Sequence, residues 1–556
     1  MKIVKWFVLF ISIALILGAC SSNSDSNSDP DSSGEVTEHG ESVPEVRIFS
    51  SLPEANQVNY EAAKMIETEW EALGVSVDNR PTEFNTLVSI IYGDDHDYDA
   101  YTIGWGGRVD RIDPDMFIHS IFHSSNAGPG GNNTTGFMND EYDVLADAQR
   151  EEMDPAARQS LVHQAQEILA VEAPLLTLYS RLLVHAYNNE RFTNMTIMAG
   201  EGMYNEWTPV RAEPLTDDKM LRIGSQFDLD TVNPVGANST YEWRNMRLIY
   251  DKLVRLNPEI EVEPAAAESW DVVDDNTVDV KIRPGMLFHD GVPVTAEDVK
   301  FTYDYFIDWE IAYFMSFLEV IESVELMDED TVRFNLKRPY APLINVTFAQ
   351  IPIIPKHIWE NIVEEEGLAH PDEYLNEEAI GSGPFKLEQW RRGEELRTST
   401  NRDFYEDIKI DGFIYRIYAQ PEAVMTALET GDIDMNAEQF IPAHIQRAEE
   451  VSHLNVLEAG DIGYQYLSFN MRKPPFDDFA FRQAIAHTID YDLILDAHLQ
   501  GYGLAGGAGL VISPQNEFWF NANVDRPQFD PEKARQILSE AGYTWDDEGK
   551  LRFPLQ

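Results

Sequence analysis

Residues Val46 to Val77 read VRIFSSLPEANQVNYEAAKMIETEWEALGVSV, and this stretch decides the fold class. Val46–Ser50 has strand character, which Pro53 and Asn56 end. Val58, Ala62, Ile66, Trp70 and Leu73 then recur at three- and four-residue steps, the spacing of one apolar helix face. Gly74 supplies the left-handed stop, and Val75-Ser76-Val77 opens a second strand. A strand, a helix and a strand in that order predict a parallel pair under helical cover, so the class is α/β.

Downstream the same texture continues. Tyr98–Gly104 predicts a strand leading into Trp105-Gly106-Gly107. Asp140–Ala170 predicts helix interrupted at Met153-Asp154-Pro155, and Leu175–Tyr179 a buried strand. Leu221–Gly224 starts another strand, Asp228–Pro234 a loop, and Tyr241–Leu253 a helix. Trp270–Ile282 alternates as a hairpin turning at Asp274-Asp275-Asn276. Thr295, with Asp298 three residues on, caps a further helix.

With 556 residues, of which 43% are hydrophobic, the chain is long enough for two or three cored domains. Asp and Glu total 97 against 41 Lys and Arg, a net charge of −56, which repels phosphate backbones and excludes nucleic acid as a partner. The acidity suits an outward-facing protein in high salt, or is ordinary solubilising charge. One cysteine, Cys20, excludes disulfides and thiolate metal clusters.

Lys2 and Lys5 precede the apolar run Trp6–Leu17, which ends in Leu17-Gly18-Ala19-Cys20. This pattern resembles a bacterial lipoprotein signal, which implies removal of residues 1–19 and lipidation of Cys20, a membrane anchor. Ser21–Ser42 has almost no apolar content, and residues 20–45 are expected to be a flexible tether.

Ala267–Tyr303, AESWDVVDDNTVDVKIRPGMLFHDGVPVTAEDVKFTY, closely resembles the family 5 extracellular solute-binding proteins of peptide- and nickel-type ABC importers. Leu221–Pro234 (LRIGSQFDLDTVNP), Gly381–Trp390 (GSGPFKLEQW), Asn401–Tyr405 (NRDFY), Tyr466–Asp490 and Asp530–Tyr543 match the same family. So do Gly104–Asp115 (GWGGRVDRIDPD), Gly136–Asp143 and Ala165–Tyr179, but these belong at the family's carboxyl end and here come first. The resemblance therefore implies a two-lobed periplasmic-binding-protein-like fold (class II, with an extra subdomain), circularly permuted. One lobe is expected from 46–179 and 468–556, the other, with the extra subdomain, from 180–467. The segments crossing between them fall near Leu176–Leu182 and Tyr464–Asn470, and residues 46–51 and 551–556 are expected to lie together.

The resemblance further implies a lipid-anchored extracytoplasmic receptor, monomeric and without a cofactor. It would enclose an oligopeptide or dipeptide between its lobes and hand it to an ABC permease. An oligosaccharide, a nickel chelate or an opine-like acid remains an alternative ligand, and a surface hydrolase an alternative activity. Expected ligand contacts are Trp105, Arg108, Asp110, Tyr241, Trp243, Tyr464, Tyr466 and Asn470. Trp105 stands ready to stack, Arg108 to hold a carboxylate and Asp110 an amine, with Asp113 and Asp115 competing for that last role. Each of these also has a structural reading, as core or as an internal ion pair.

Other chemistry finds no support. Gly501-Tyr502-Gly503-Leu504-Ala505-Gly506 satisfies G-x-G-x-x-G but follows a helical run, so a flexible loop is expected there. His119 and His123 share a helix face without the H-E-x-x-H glutamate, and no metal site is expected. Neither a G-x-S-x-G nor a Walker A sequence occurs.

Overall fold

The computed structural model describes residues 40–108 and 111–555. The expected leader at 1–19, Cys20, most of the expected tether and Asp110 lie outside the described residues. The opening stretch folds as its spacing requires. Strand β1 (Val46–Ser51) and β2 (Val77–Thr82) pair in parallel, Val46 opposite Val77, around helix α1 (Gln57–Leu73). Asn56 caps the helix through its side chain, and Gly74 closes it at φ 98°.

The elements that follow and bear on the site are β3 (Ala100–Trp105), α2 (Asp140–Glu151), α3 (Pro155–Glu172) and the long strand β4 (Leu175–Asn188). Then come β5 (Met220–Ser225), α4 (Thr240–Ile249), β6 (Phe385–Arg391), β7 (Glu395–Thr400) and β8 (Gly412–Ile417). Last are β9 (Met435–Asn436), β10 (Leu454–Gly460), β11 (Tyr464–Phe469), β12 (Gly503–Ala508) and β13 (Leu551–Arg552). A twelve-stranded sheet runs β6-β7-β8-β5-β9-β4-β11-β3-β1-β2, with β10 and β12 also on β4. The expected hairpin forms (Ala267–Asp274 against Thr277–Ile282) inside a separate four-stranded sheet.

The buried side chains divide cleanly. Two cores draw on residues 43–179 and 464–551; they include Ile48, Trp70, Phe469, Phe481 and Leu551, and Tyr101, Phe117, Tyr142, Tyr464 and Trp519. Two others draw on residues 184–462, with Ile112 the single visitor among the described residues. The division falls inside β4 and between Ile462 and Tyr464, so β4 has residues in the cores of both halves, while β11 lies wholly in the first. Trp70 shows how the first half is stitched. Its indole donates to Thr488 Oγ1 at 3.0 Å, and its ring packs on Phe469 and Phe476. Burying a ring of this size contributes about 2–3 kcal/mol, so α1 is held by the carboxyl-terminal segment.

The two ends of the described chain meet. Val43 N–H donates to Leu551 O at 3.1 Å, Phe553 N–H to Glu41 O at 2.9 Å, and Leu551 N–H to Gly74 O at 2.9 Å. The tether expected to reach residue 45 thus stops short, because Val43 is 7% exposed and belongs to the core.

Three further expectations are corrected. Helix α4 ends at Ile249 rather than Leu253, because Tyr250 is extended (φ −109°, ψ 126°). The strand expected at Leu175–Tyr179 continues to Asn188. Gly503–Ala508 is strand β12, not a flexible loop: it pairs antiparallel with β4, where a side chain at Gly506 would collide with Thr177 O. Among the described residues, no helix is long and apolar enough to cross a membrane.

Candidate functional site

The register locates the site. β1, β2 and β3 are mutually parallel; β3 is antiparallel to β11, and β11 to β4. The three parallel strands therefore run in the sense of β4, and their carboxyl ends (Ser51, Thr82, Trp105) advance on its middle. Trp105 pairs with Tyr464, one step past the Gln465–Tyr179 pair, which brings it beside residues 180–181. In the other half β8, β5 and β9 are parallel to one another, and β9 is antiparallel to β4 with Met435 opposite Tyr187. Phe440 N–H then donates to Val184 O at 2.8 Å. Two sets of parallel carboxyl ends thus converge from opposite sides on Ser180–Val184. The carboxyl edge of parallel strands is where α/β proteins bind ligands.

On the first edge a cavity of about 240 Å³ is lined chiefly by Ser51, Asn56, Asn59, Thr82, Arg181 and Gln465. Asn59 Nδ2 donates to Gln465 Oε1 at 2.7 Å, Tyr179 OH to Asn59 Oδ1 at 2.9 Å, and Arg181 Nη2 to Asn56 Oδ1 at 3.0 Å. Asn56 is also the cap of α1, so the positive end of that helix looks into the cavity. Gln465 lies across Gly104, where any Cβ would overlap its amide.

The loop after β3 continues this edge. Trp105 is half-buried, its Nε1 has no hydrogen-bond partner among the described residues, and the Arg111 guanidinium stands 5.0 Å from its ring. Arg108 is half-buried. Asp461 Oδ1 accepts from Gly107 N–H at 2.9 Å and Gly463 N–H at 2.8 Å, which pins the loop, while burial pushes its carboxyl above the usual range.

The second edge is anchored by Glu438. It accepts from Ser225 Oγ at 2.6 Å and from Gln226 N–H at 3.2 Å, and burial raises its carboxyl above the ordinary value. Tyr415 OH donates to Ser225 Oγ at 2.6 Å. Tyr241, in the first turn of α4, stacks at 4.0 Å on Phe227, which is 40% exposed. Between the edges runs Gly200-Glu201-Gly202. Glu201 pairs with Arg247 at 3.1 Å, and a side chain at Gly202 (φ 74°) would strike His185.

The structure thus brings Trp105, Arg108 and Tyr241 to the converging edges. Tyr464 and Tyr466 are buried in the core behind them, at 5.3 Å from Phe117 and 6.1 Å from Tyr101. Trp243 stacks on Tyr313 inside the other core. Asn470 lies at the amino end of β3, and its amide donates to His96 O and Tyr98 O at 3.0 Å each. Of the two other aspartates considered, Asp113 forms an ion pair with Arg158 at 2.6 Å and Asp115 one with Arg150 at 2.9 Å. Asp113 also accepts from Asn345 of the other half at 2.8 Å. Reasoning from sequence missed Arg181, Gln465 and Glu438. A cation inside the largely apolar run Leu175–Tyr187 is the signal that could have found Arg181.

Comparison with known proteins bears on this arrangement. Residues 261–556 match the model for bacterial extracellular solute-binding proteins, family 5 Middle. The oligopeptide-binding protein AppA of Bacillus subtilis is 30% identical over 313 residues, 54% of this chain and 54% of that one. Di/tripeptide-binding protein 3 of Pseudomonas aeruginosa is 29% identical over 300 residues, 50% of this chain and 55% of its own length. The chain spans about half the length of the curated relatives it matches. Among solved structures, NikZ from Campylobacter jejuni in complex with Ni(L-His) has a TM-score of 0.49 at 23% identity, covering 61% of this chain and 66% of that one.

Proposed function

This chain belongs to the bacterial extracellular solute-binding proteins of family 5, and we propose from that premise that it captures oligopeptides or dipeptides between its two halves. It then presents them to an ABC importer as a monomer at the outer face of a membrane. The observation that carries this reading is the convergence of two parallel-strand carboxyl edges on the middle of β4, with Arg181 between them. Trp105 and the Phe227–Tyr241 pair offer stacking surfaces, Arg108 and Arg181 suit a ligand carboxylate, and Glu438 suits an amine. Closing the halves over the ligand removes it from water, and only contacts made in the closed form favour closure. The Asp113–Asn345 bond is one contact that joins the halves.

A lipid at Cys20 is supported by the sequence Leu17-Gly18-Ala19-Cys20. Circular permutation is supported by the order of the family-like segments and by the hydrogen bonds that join residues 41–43 and 74 to 551–553. Binding, rather than hydrolysis, is supported by family membership.

Native mass spectrometry of protein purified gently from a peptide mixture tests the proposal. One intact peptide per chain is expected, with retention reduced at least about ten-fold by Trp105→Ala and by Arg181→Ala. No retained peptide, cleaved peptides, or retention unchanged in both variants would count against it.

A further inference from the structure

His119 lies in the π-helical turn Met116–Ser120, and His123 follows one turn later. Their rings stack at 4.5 Å with planes 20° apart. Both present Nε2 to one oxygen of Asp147 on α2: His119 at 3.2 Å and His123 at 3.4 Å. Asp143, one turn earlier on α2, places Oδ1 3.9 Å from His123 Nε2. These spacings are those of donors around a shared cation: the ligand atoms of His119, His123 and Asp147 all lie within 4.8 Å of one another. Donors about 2.0–2.2 Å from a central zinc are about 3.3–3.6 Å apart in a tetrahedron.

The surroundings suit ligation. Ser125 Oγ is 2.8 Å from His123 Nδ1 and can accept its proton, leaving the Nε2 lone pair directed at Asp147. Ser125 N–H, now 3.1 Å from Nδ1, would release it. Arg150 Nη1 is 3.4 Å from both ring nitrogens of His119, so it lies over the ring and leaves the in-plane lone pair clear. That arginine is committed elsewhere, through Nε to Asp115 at 2.9 Å. The two imidazoles are mostly buried while the Asp147 side chain is 63% exposed, which leaves a route from solvent. A small rotation about the soft terminal torsion of each ring turns the stacked pair toward one point.

We propose that His119, His123 and Asp147 form a binding site for a divalent transition-metal ion of the zinc or nickel type, with Asp143 or water completing the shell. Two imidazoles and a carboxylate are the donors such borderline ions take, whereas calcium and magnesium prefer oxygen alone. The site uses none of the residues of the converging edges, so it goes beyond the solute-binding role. It would tie the turn carrying both histidines to α2, beside Arg150, which also reaches Tyr340 of the other half.

Isothermal titration of the untagged, chelator-stripped full chain with zinc chloride, and separately with nickel chloride, tests the site. One equivalent should bind in the micromolar range or tighter. Asp147→Asn, at an exposed position, and His123→Gln should each weaken binding at least about ten-fold. Asp147→Asn should keep the metal-free thermal midpoint of the wild type. The absence of saturable binding, or wild-type affinity in both variants, would overturn the proposal. Cobalt in place of zinc gives a second reading: visible ligand-field bands with the wild type and none with Asp147→Asn are expected, and identical spectra would contradict it.

Discussion

His185 is 2% exposed on β4, and the cost of charging it there falls on the whole fold. Burial, with Arg244 nearby, pushes its imidazole down to about 3 from the ordinary 6.5. The folded chain holds the ring neutral, while the unfolded chain takes up a proton below about pH 6.5. Its contribution is complete above pH 6.5 and is lost progressively as the pH falls toward 3, at up to about 1.4 kcal/mol per pH unit. Denaturant unfolding between pH 7 and 4 should therefore show a shallower pH dependence in His185→Gln than in the wild type, and equal slopes would contradict this. Legibility varied sharply among single residues. Trp105 and Arg108 stood out in GWGGR because two glycines beside an aromatic mark an exposed turn after a strand. Gln465, between two tyrosines in an apolar strand, carried no such mark; only the register of β11 on β3 shows that it lies across Gly104. Tyr464 and Tyr466 flank it on the same strand, yet their rings belong to the core.

At the scale of elements, local pattern was a sound guide wherever a helix had one dry face. The β1–α1–β2 unit followed from apolar spacing and one glycine, because a period of 3.6 cannot be satisfied by a strand. Gly74 has a second role that the sequence did not disclose. A Cβ there would strike Gly549 O, so the helix end and the carboxyl-terminal tail share one tight contact. Gly74→Ala combines that overlap with a φ of 98° and should lower stability by about 1–3 kcal/mol, measured by chemical denaturation. A loss within a few tenths would show that the tail gives way freely. β12 was illegible for the opposite reason. Glycine-rich sequence signals a turn, but here small residues let a backbone close onto β4, a tertiary effect that no local window contains. The full length of β4 was hidden likewise, since its second half is made a strand by partners far away, β10 and β9.

At the scale of the molecule, one sheet joins two sets of cores, and β4 belongs to both. The α/β class was legible from alternating periods. The placement of the site at mid-β4 was not, because it depends on the relative direction of strands more than two hundred residues apart. That placement is also what makes the proposed closure coherent. A ligand lying there touches the carboxyl ends of both parallel sets at once, so its binding energy opposes their separation. Hydrogen exchange read by mass spectrometry, with and without saturating peptide, tests this most directly. Slower exchange is predicted together in 104–107, 180–184, 225–227 and 436–438, segments drawn from both halves. Protection confined to one half, or found only away from these four segments, would contradict the account.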